Sequence, residues 1–168
     1  MKIIVAVDFS DHSAPILVEA QKWARLTAAE VWLVHVEEPY SDLVGDGTEF
    51  IGTTSSFGVG LNDPKLAASD SEIKTRRDAD AVRLREGHAR LQREAKEIRD
   101  QGVNITALLL SGSTVETILL EADKRQVDLI IVGSHGHGMM HLLLLGSVSE
   151  GVLRHAKCPV LVVPTHTL

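Results

Sequence analysis

The chain of 168 residues is short of cysteine, of net positive charge and of long apolar runs, and each shortage excludes something. Cys158 is the one cysteine, so no internal disulfide can form. At this length a single domain buries most of its apolar surface without covalent or metal staples. The unpaired thiol fits a reducing compartment. Lys and Arg number 17 against 23 Asp and Glu, a net charge of −6, and the basic face that displaces counterions from nucleic acid is missing. No apolar window has the length of a membrane span, and the apolar residues between Lys2 and Asp8 are too few for a signal sequence. The expectation is a soluble, cytoplasmic chain with no nucleic-acid partner and no membrane insertion. Two nucleotide motifs are also absent, Gly-x-x-x-x-Gly-Lys-[Ser/Thr] and Gly-x-Gly-x-x-Gly after the first strand, which argues against a P-loop ATPase or an NAD enzyme.

What is present is an alternation of two patterns. Ile3 to Val7, Val31 to Val36, Ile105 to Leu110, Leu129 to Val132 and Val160 to Val163 are continuous β-prone runs, as expected of strands covered on both faces in a parallel sheet. Between them apolar residues recur at steps of three and four: Ile16, Leu17, Ala20, Trp23 and Ala24; Val115, Ile118, Leu119 and Ala122; Val148, Val152, Leu153 and Ala156. Each set predicts a helix with one core-facing stripe. From about Arg77 to Arg99 the stripe is Ala81, Leu84, His88, Leu91, Ala95 and Ile98, and His88 reads as a packed or half-buried histidine rather than a ligand. Ser113 with Glu116, and Ser147 with Glu150, have the spacing of a capping box, worth about 1 kcal/mol to a helix. The last helix is expected to end around Lys157, ahead of Pro159, and Met139 to Leu145 is apolar enough for a short helical turn. Tyr40 to about Thr75 has scattered glycines and no apolar period, and reads either as a mobile flap over the site or as a passive insertion at 40–75 in the single domain 1–168.

The chemistry gathers where Leu129 to Val132 empties into Gly133-Ser134-His135-Gly136-His137-Gly138, with Gly146-Ser147 opening the last helix. Glycines let backbone approach an anion, and a helix N-terminus offers unpaired N–H groups at the positive end of its dipole. Strands alternating with helices imply an α/β fold with right-handed crossovers. Ligands in such sheets sit beyond the carboxyl ends of the strands where strand order reverses, so the first and fourth strands should flank that point and bring Asp8 to Gly133.

Five ordered blocks carry a resemblance. Ile3 to Asp8 followed by Phe9-Ser10, Leu33 to Val36, Val127 to Gly136, Gly146 to Glu150, and Pro159 to Pro164 together resemble the universal stress protein family, in the branch whose signature is Gly-x-x-Gly, nine residues, Gly-Ser. The resemblance covers nearly all of the chain outside the Tyr40 to Thr75 segment. It implies an open five-stranded parallel sheet with helices on both faces, Rossmann-like and adenine nucleotide alpha hydrolase-like, in the order 3-2-1-4-5. It also implies a bound ATP or other adenine nucleotide. Ala6, Val7 and Asp8 would lie by the adenosine and Val36 would line the adenine pocket. Val132 would also contact the nucleotide, Gly133 and Gly136 would admit the phosphates, and Gly146, Ser147, Val148 and Ser149 would hold them. Read alone, Asp8 also serves as a cap for the first helix, and Ser147 as a cap for the last. Glu150 would bring negative charge close to a polyphosphate, from which we infer Mg²⁺ riding on the phosphates, with affinity lost to a chelator.

No residue is nominated as a water-activating base, so no catalytic residue is assigned. The expected role is a nucleotide-dependent stress-response or signalling module with slow or no hydrolysis. The resemblance further implies a homodimer through the last strand, Val160 to Val163, which charge at Leu161 or Val163 should break. Two rival readings stand beside this: a transition-metal sensor using His135, His137 and His141, with His155 downstream, and a nucleotide-independent interaction protein.

Overall fold

A computed structural model describes residues 1–10, 13–38, 70–134 and 145–165, with side chains left aside at 70–77, 79 and 80. Gly136, the histidines His135, His137 and His141, the Met139 to Leu144 stretch and residues 39–69 lie outside the described residues. By contacts the chain divides into two units, Met1–Pro39 with Leu84–Leu168, and Tyr40–Arg83. The described part of the second is helical from Asp70. The first unit carries the sheet.

The elements are β1 (Lys2–Ala6), α1 (Ser13–Thr27), β2 (Glu30–Glu37), α2 (Asp70–Asp100), β3 (Ile105–Ser111), α3 (Thr114–Arg125), β4 (Leu129–Gly133), α4 (Ser147–His155) and β5 (Val160–Val163). All strands are parallel and ordered β3-β2-β1-β4-β5, the order that the resemblance implies. The continuous apolar runs are explained by burial on both sides. Ile3, Val5, Leu33 and Ile131 face one cluster with Ile16, Ala20 and Ala24 of α1 and Leu91, Ala95 and Ile98 of α2. Ile4, Trp32, Val34 and Ile130 face the other, with Ile118 and Ala122 of α3 and Val152 of α4. Ile3, Ile4, Leu33, Ile130 and Ile131 are wholly buried, each contributing roughly 1.5–3 kcal/mol. Pro15 falls in the first turn of α1, where its missing N–H costs least.

Several helical expectations are corrected. The helix α2 begins at Asp70, not near Arg77; residues 70–76 contain no glycine or proline to stop it, although they carry too few apolar residues to show a period. His88 is exposed, and Leu84 is exposed too. The buried line runs through Gly87, Leu91, Ala95 and Ile98, because α2 passes so close to the sheet that Gly87 faces it: a Cβ there would stand 3.4 Å from Phe9 Cε2 and 3.5 Å from Glu37 Oε1. Leu153 is 48% exposed rather than inward. In α4 the close approach is made by Gly151, where a Cβ would meet Val115 Cγ2 at 2.8 Å, and Leu153 is two residues round the helix from it. The helix ends at His155, with Ala156 already extended, two residues before Lys157.

Neither capping box forms. Ser113 is the N-cap of α3 but its side chain makes no capping bond. The N-cap of α4 is Gly146 and Ser147 is the first helical residue, so the Ser147-to-Glu150 spacing is one residue out of register with a box.

Candidate functional site

The carboxyl ends of β1, β2 and β4 open on one cleft, lined by Ala6, Val7, Asp8, Val36, Val132, Gly133, Gly146, Ser147, Val148 and Ser149. Those are all of the residues assigned from sequence except Gly136, which lies outside the described residues. Ile16, Val34, His35, Thr114 and Ile118 line it as well. Ile16 and Ile118 look in sequence like ordinary helix-stripe residues, and nothing local distinguishes them. Thr114 is reached only through the fold, since its partner is 76 residues away.

On the β1 side the chain turns sharply. Phe9 has φ of +61°, a conformation that costs a non-glycine residue about 1–2 kcal/mol. Asp8 Oδ1 holds the turn by accepting from the Ser10 N–H (3.0 Å), the Ser10 hydroxyl (2.7 Å) and the Ser13 hydroxyl (3.2 Å). Asp8 therefore organises the entry to α1 and lines the cleft at once. Beside it His35 stacks on Phe9 with ring centroids 3.9 Å apart and bonds the Val7 carbonyl through Nδ1 at 2.7 Å. A carbonyl only accepts, so Nδ1 bears the hydrogen.

Strand alternation decides where Val36 directs its backbone. The Val7 N–H donates to Val34 O (2.9 Å), and the Gly112 N–H donates to Glu37 O (3.1 Å). Even residues of β2 thus address β1, and odd residues address β3. Val36 is the next even residue, but β1 has ended at Ala6. Its N–H and C=O, a donor and an acceptor side by side, are directed past the end of β1 into the cleft that Val36 lines.

The opposite wall is the first turn of α4. Its first intrahelical bond is Glu150 N–H to Gly146 O, which leaves the N–H groups of Ser147, Val148 and Ser149 without helical carbonyls of their own. Ser149 is buried and its hydroxyl donates to the Gly133 carbonyl, tying the end of β4 to this turn. Ser134 closes the base of the intervening segment. Its N–H donates to Val163 O (2.8 Å), its carbonyl accepts from the Gly146 N–H (2.7 Å), and its hydroxyl accepts from the Thr165 N–H (3.1 Å).

Glu150 does not aim its charge at this turn. Arg154, one turn on, bonds its Oε1 through Nε at 3.0 Å and Nη2 at 2.6 Å, an exposed ion pair that offsets part of the Glu150 charge. Among the described residues no three His, Cys, Asp or Glu side chains could hold a metal ion.

The N-terminus of α3 also faces the cleft, and it is occupied. Glu38 Oε1 accepts from both the Thr114 N–H (3.2 Å) and the Thr114 hydroxyl (2.7 Å). The two bonds hold the Glu38 carboxyl below the usual carboxylate range. Cys158 lies in a separate hollow with Asp123, His155 and Lys157, where burial, with Asp123 and Asp128, pushes its thiol up, away from nucleophilic character.

Known proteins share both the sequence pattern and the fold. The model of the universal stress protein family matches residues 1–164. Universal stress protein YxiE of Bacillus subtilis is 31% identical over 164 residues, covering 96% of this chain and 97% of its own length. Universal stress protein MJ0577 of Methanocaldococcus jannaschii is 29% identical over 162 residues, covering 96% of this chain and 93% of its own. The solved structure of MJ0577 superposes with a TM-score of 0.72, covering 99% of this chain and 97% of that one at 26% identity. A universal stress protein solved in complex with cAMP has the same fold at 20% identity, with a TM-score of 0.59 and coverage of 99% and 98%.

Proposed function

The chain belongs to the universal stress protein family, and from that premise we propose that it binds an adenine nucleotide, ATP foremost, and acts as a nucleotide-dependent stress-response or signalling module of the cytoplasm. One observation carries the reading. A single cleft has two unlike ends, the backbone donor and acceptor of Val36 with Asp8 on one side and the open first turn of α4 on the other. The first suits the edge of a base and the hydroxyls of a ribose, and the second suits phosphates. The cAMP held by a protein of this fold is in keeping with it.

The phosphates are held by backbone rather than by lysine or arginine. Ser147, Val148 and Ser149 present N–H groups at the positive end of α4, and Gly133 lets the chain come close. Gly136 completes the signature in sequence. Mg²⁺ enters with the nucleotide, through phosphate oxygens and water, rather than on protein carboxylates. The residues assigned to the cleft include no group placed as a base for an attacking water, and the function is binding with slow or no hydrolysis.

The decisive experiment is to denature freshly purified protein and identify the released small molecules by mass spectrometry, then to titrate the emptied protein with ATP, ADP and AMP. Release of an adenine nucleotide and saturable ATP binding are the expected results. Turnover at the rate of ordinary ATPases, or no binding of any adenine nucleotide, overturns the proposal. Excess chelator should weaken ATP more than AMP, since only the polyphosphate needs its charge offset.

A further inference from the structure

The adenosine reading leaves unused a polar side chain of the cleft, Thr114, which is paired with Glu38. Thr114 lines the cleft with Val36 and Ile118, and its hydroxyl hydrogen is committed to Glu38 Oε1 at 2.7 Å. A carboxylate oxygen only accepts, so what the Thr114 oxygen offers to anything else is lone pairs. The second Glu38 bond, to the Thr114 N–H, fixes the carboxylate where it cannot swing away without uncapping α3.

We propose that Thr114, with its hydroxyl oriented by Glu38, is a specificity residue that selects a purine with an amine at C6, adenine, over the 6-oxo purines hypoxanthine and guanine. The proposal rests on the adenine-nucleotide reading and deepens it. An exocyclic amine has two hydrogens, and the Val36 carbonyl offers one acceptor. Thr114 supplies the second. A 6-oxo base brings a carbonyl oxygen to the same place, opposite lone pairs on both sides, and leaves them desolvated and unpaired. Sites built to bond a donor discriminate strongly against an analogue that lacks it.

Glu38 is the positioning residue. Its lowered carboxyl keeps it anionic through neutral and mildly acid pH, so the hydroxyl stays turned toward it. The same carboxylate fills the positive end of α3 and leaves α4 as the anion-binding terminus, which sets the direction in which a nucleotide enters.

The test is calorimetric titration of emptied protein with ATP and with inosine triphosphate, which carries the 6-oxo base. Val36 discriminates between them in every variant, so the change in the ATP-to-ITP affinity ratio reports on Thr114. In T114V the ratio should fall by roughly tenfold, the scale of one buried group losing its partner, while T114S keeps the wild-type ratio. In E38A the freed hydroxyl can turn and donate, and ITP should tighten relative to ATP. E38Q, whose amide oxygen still accepts both Thr114 bonds, should restore the wild-type ratio. Thermal melts confirm that each variant is folded. An unchanged ratio in T114V or E38A, with ATP still bound, overturns the proposal and leaves the adenine reading standing. Failure of wild-type protein to bind ATP overturns both.

Discussion

Glu38 shows how much one exposed side chain can settle at the residue scale. Its two bonds to Thr114 stabilise the ionised form, so its folded-state pKa lies below its ordinary value. The unfolded chain therefore binds the proton more readily, and the contribution of Glu38 is present above the ordinary value of 4.5 and lost as pH falls through the lowered one. We expect the melting temperature of wild-type protein to fall more steeply than that of E38Q between neutral pH and pH ~3, with the curves parallel above about pH 5.5. Parallel curves throughout would mean that the bonds to Thr114 do not survive in solution. Glu121 is also lowered: burial opposes its ionisation, but bonds from Lys124 and Arg125 outweigh that. It is the same in both proteins and cancels from the comparison.

At the scale of elements, two helices make close approaches through glycines. Gly87 brings α2 onto Phe9, and Gly151 brings α4 onto Val115. For Gly151 two effects oppose each other. Alanine in a helix interior is favoured over glycine by about 1 kcal/mol, while a Cβ 2.8 and 3.1 Å from the two γ-carbons of Val115 forces a stiff β-branched side chain to move, at about 1–3 kcal/mol. The clash should win in G151A, lowering the melting temperature by a few degrees, since ~1 kcal/mol corresponds to about 2–4 °C in a chain of this size. In a V115A background the same substitution should raise it. Destabilisation of equal size in both backgrounds would show that contact with Val115 is not the cause.

Legibility in the sequence divides along the same line. Each strand is readable because its run is apolar without alternation, and α1 because Ile16, Ala20 and Ala24 face the core as their spacing says. Asp8, Val36 and Gly133 line one cleft because all three stand at or just past the carboxyl ends of strands of one parallel sheet. His88 misleads because a stripe of side chains cannot reveal a helix that presents a glycine to its neighbour. Ser147 and Glu150 have box spacing but sit one residue out of register. The Glu38–Thr114 pair has no local signal at all, since only the pairing of β2 with β3, Glu37 opposite Ser111, brings the two together.

At the scale of the whole molecule, β5 is an edge strand of uncharged, partly exposed apolar residues. The opposite edge, β3, has its first carbonyl covered by Arg99, which bonds Ile105 O at 2.9 and 3.2 Å. We propose that a second copy pairs along β5. Val163 is buried, so charge placed there would test folding rather than pairing. Pro159 and Val163 direct their carbonyls to β4, which leaves the Val162 N–H directed outward. V162P removes that N–H and no bond within the sheet. Sedimentation should show a dimer for wild-type protein and a folded, nucleotide-binding monomer for V162P; a V162P dimer would place the interface elsewhere.

Ser134 has a consequence for how this chain can be cut. Its carbonyl reaches the Gly146 N–H directly, and its own N–H and hydroxyl secure Val163 and Thr165, so the two roots of the intervening segment are bonded to each other and to the end of β5. The junction between Ser134 and Gly146 is thereby held by hydrogen bonds as well as by the chain. It is a place where new chain ends could be opened, as in a circular permutant, with the sheet intact and the phosphate end of the cleft alone disabled.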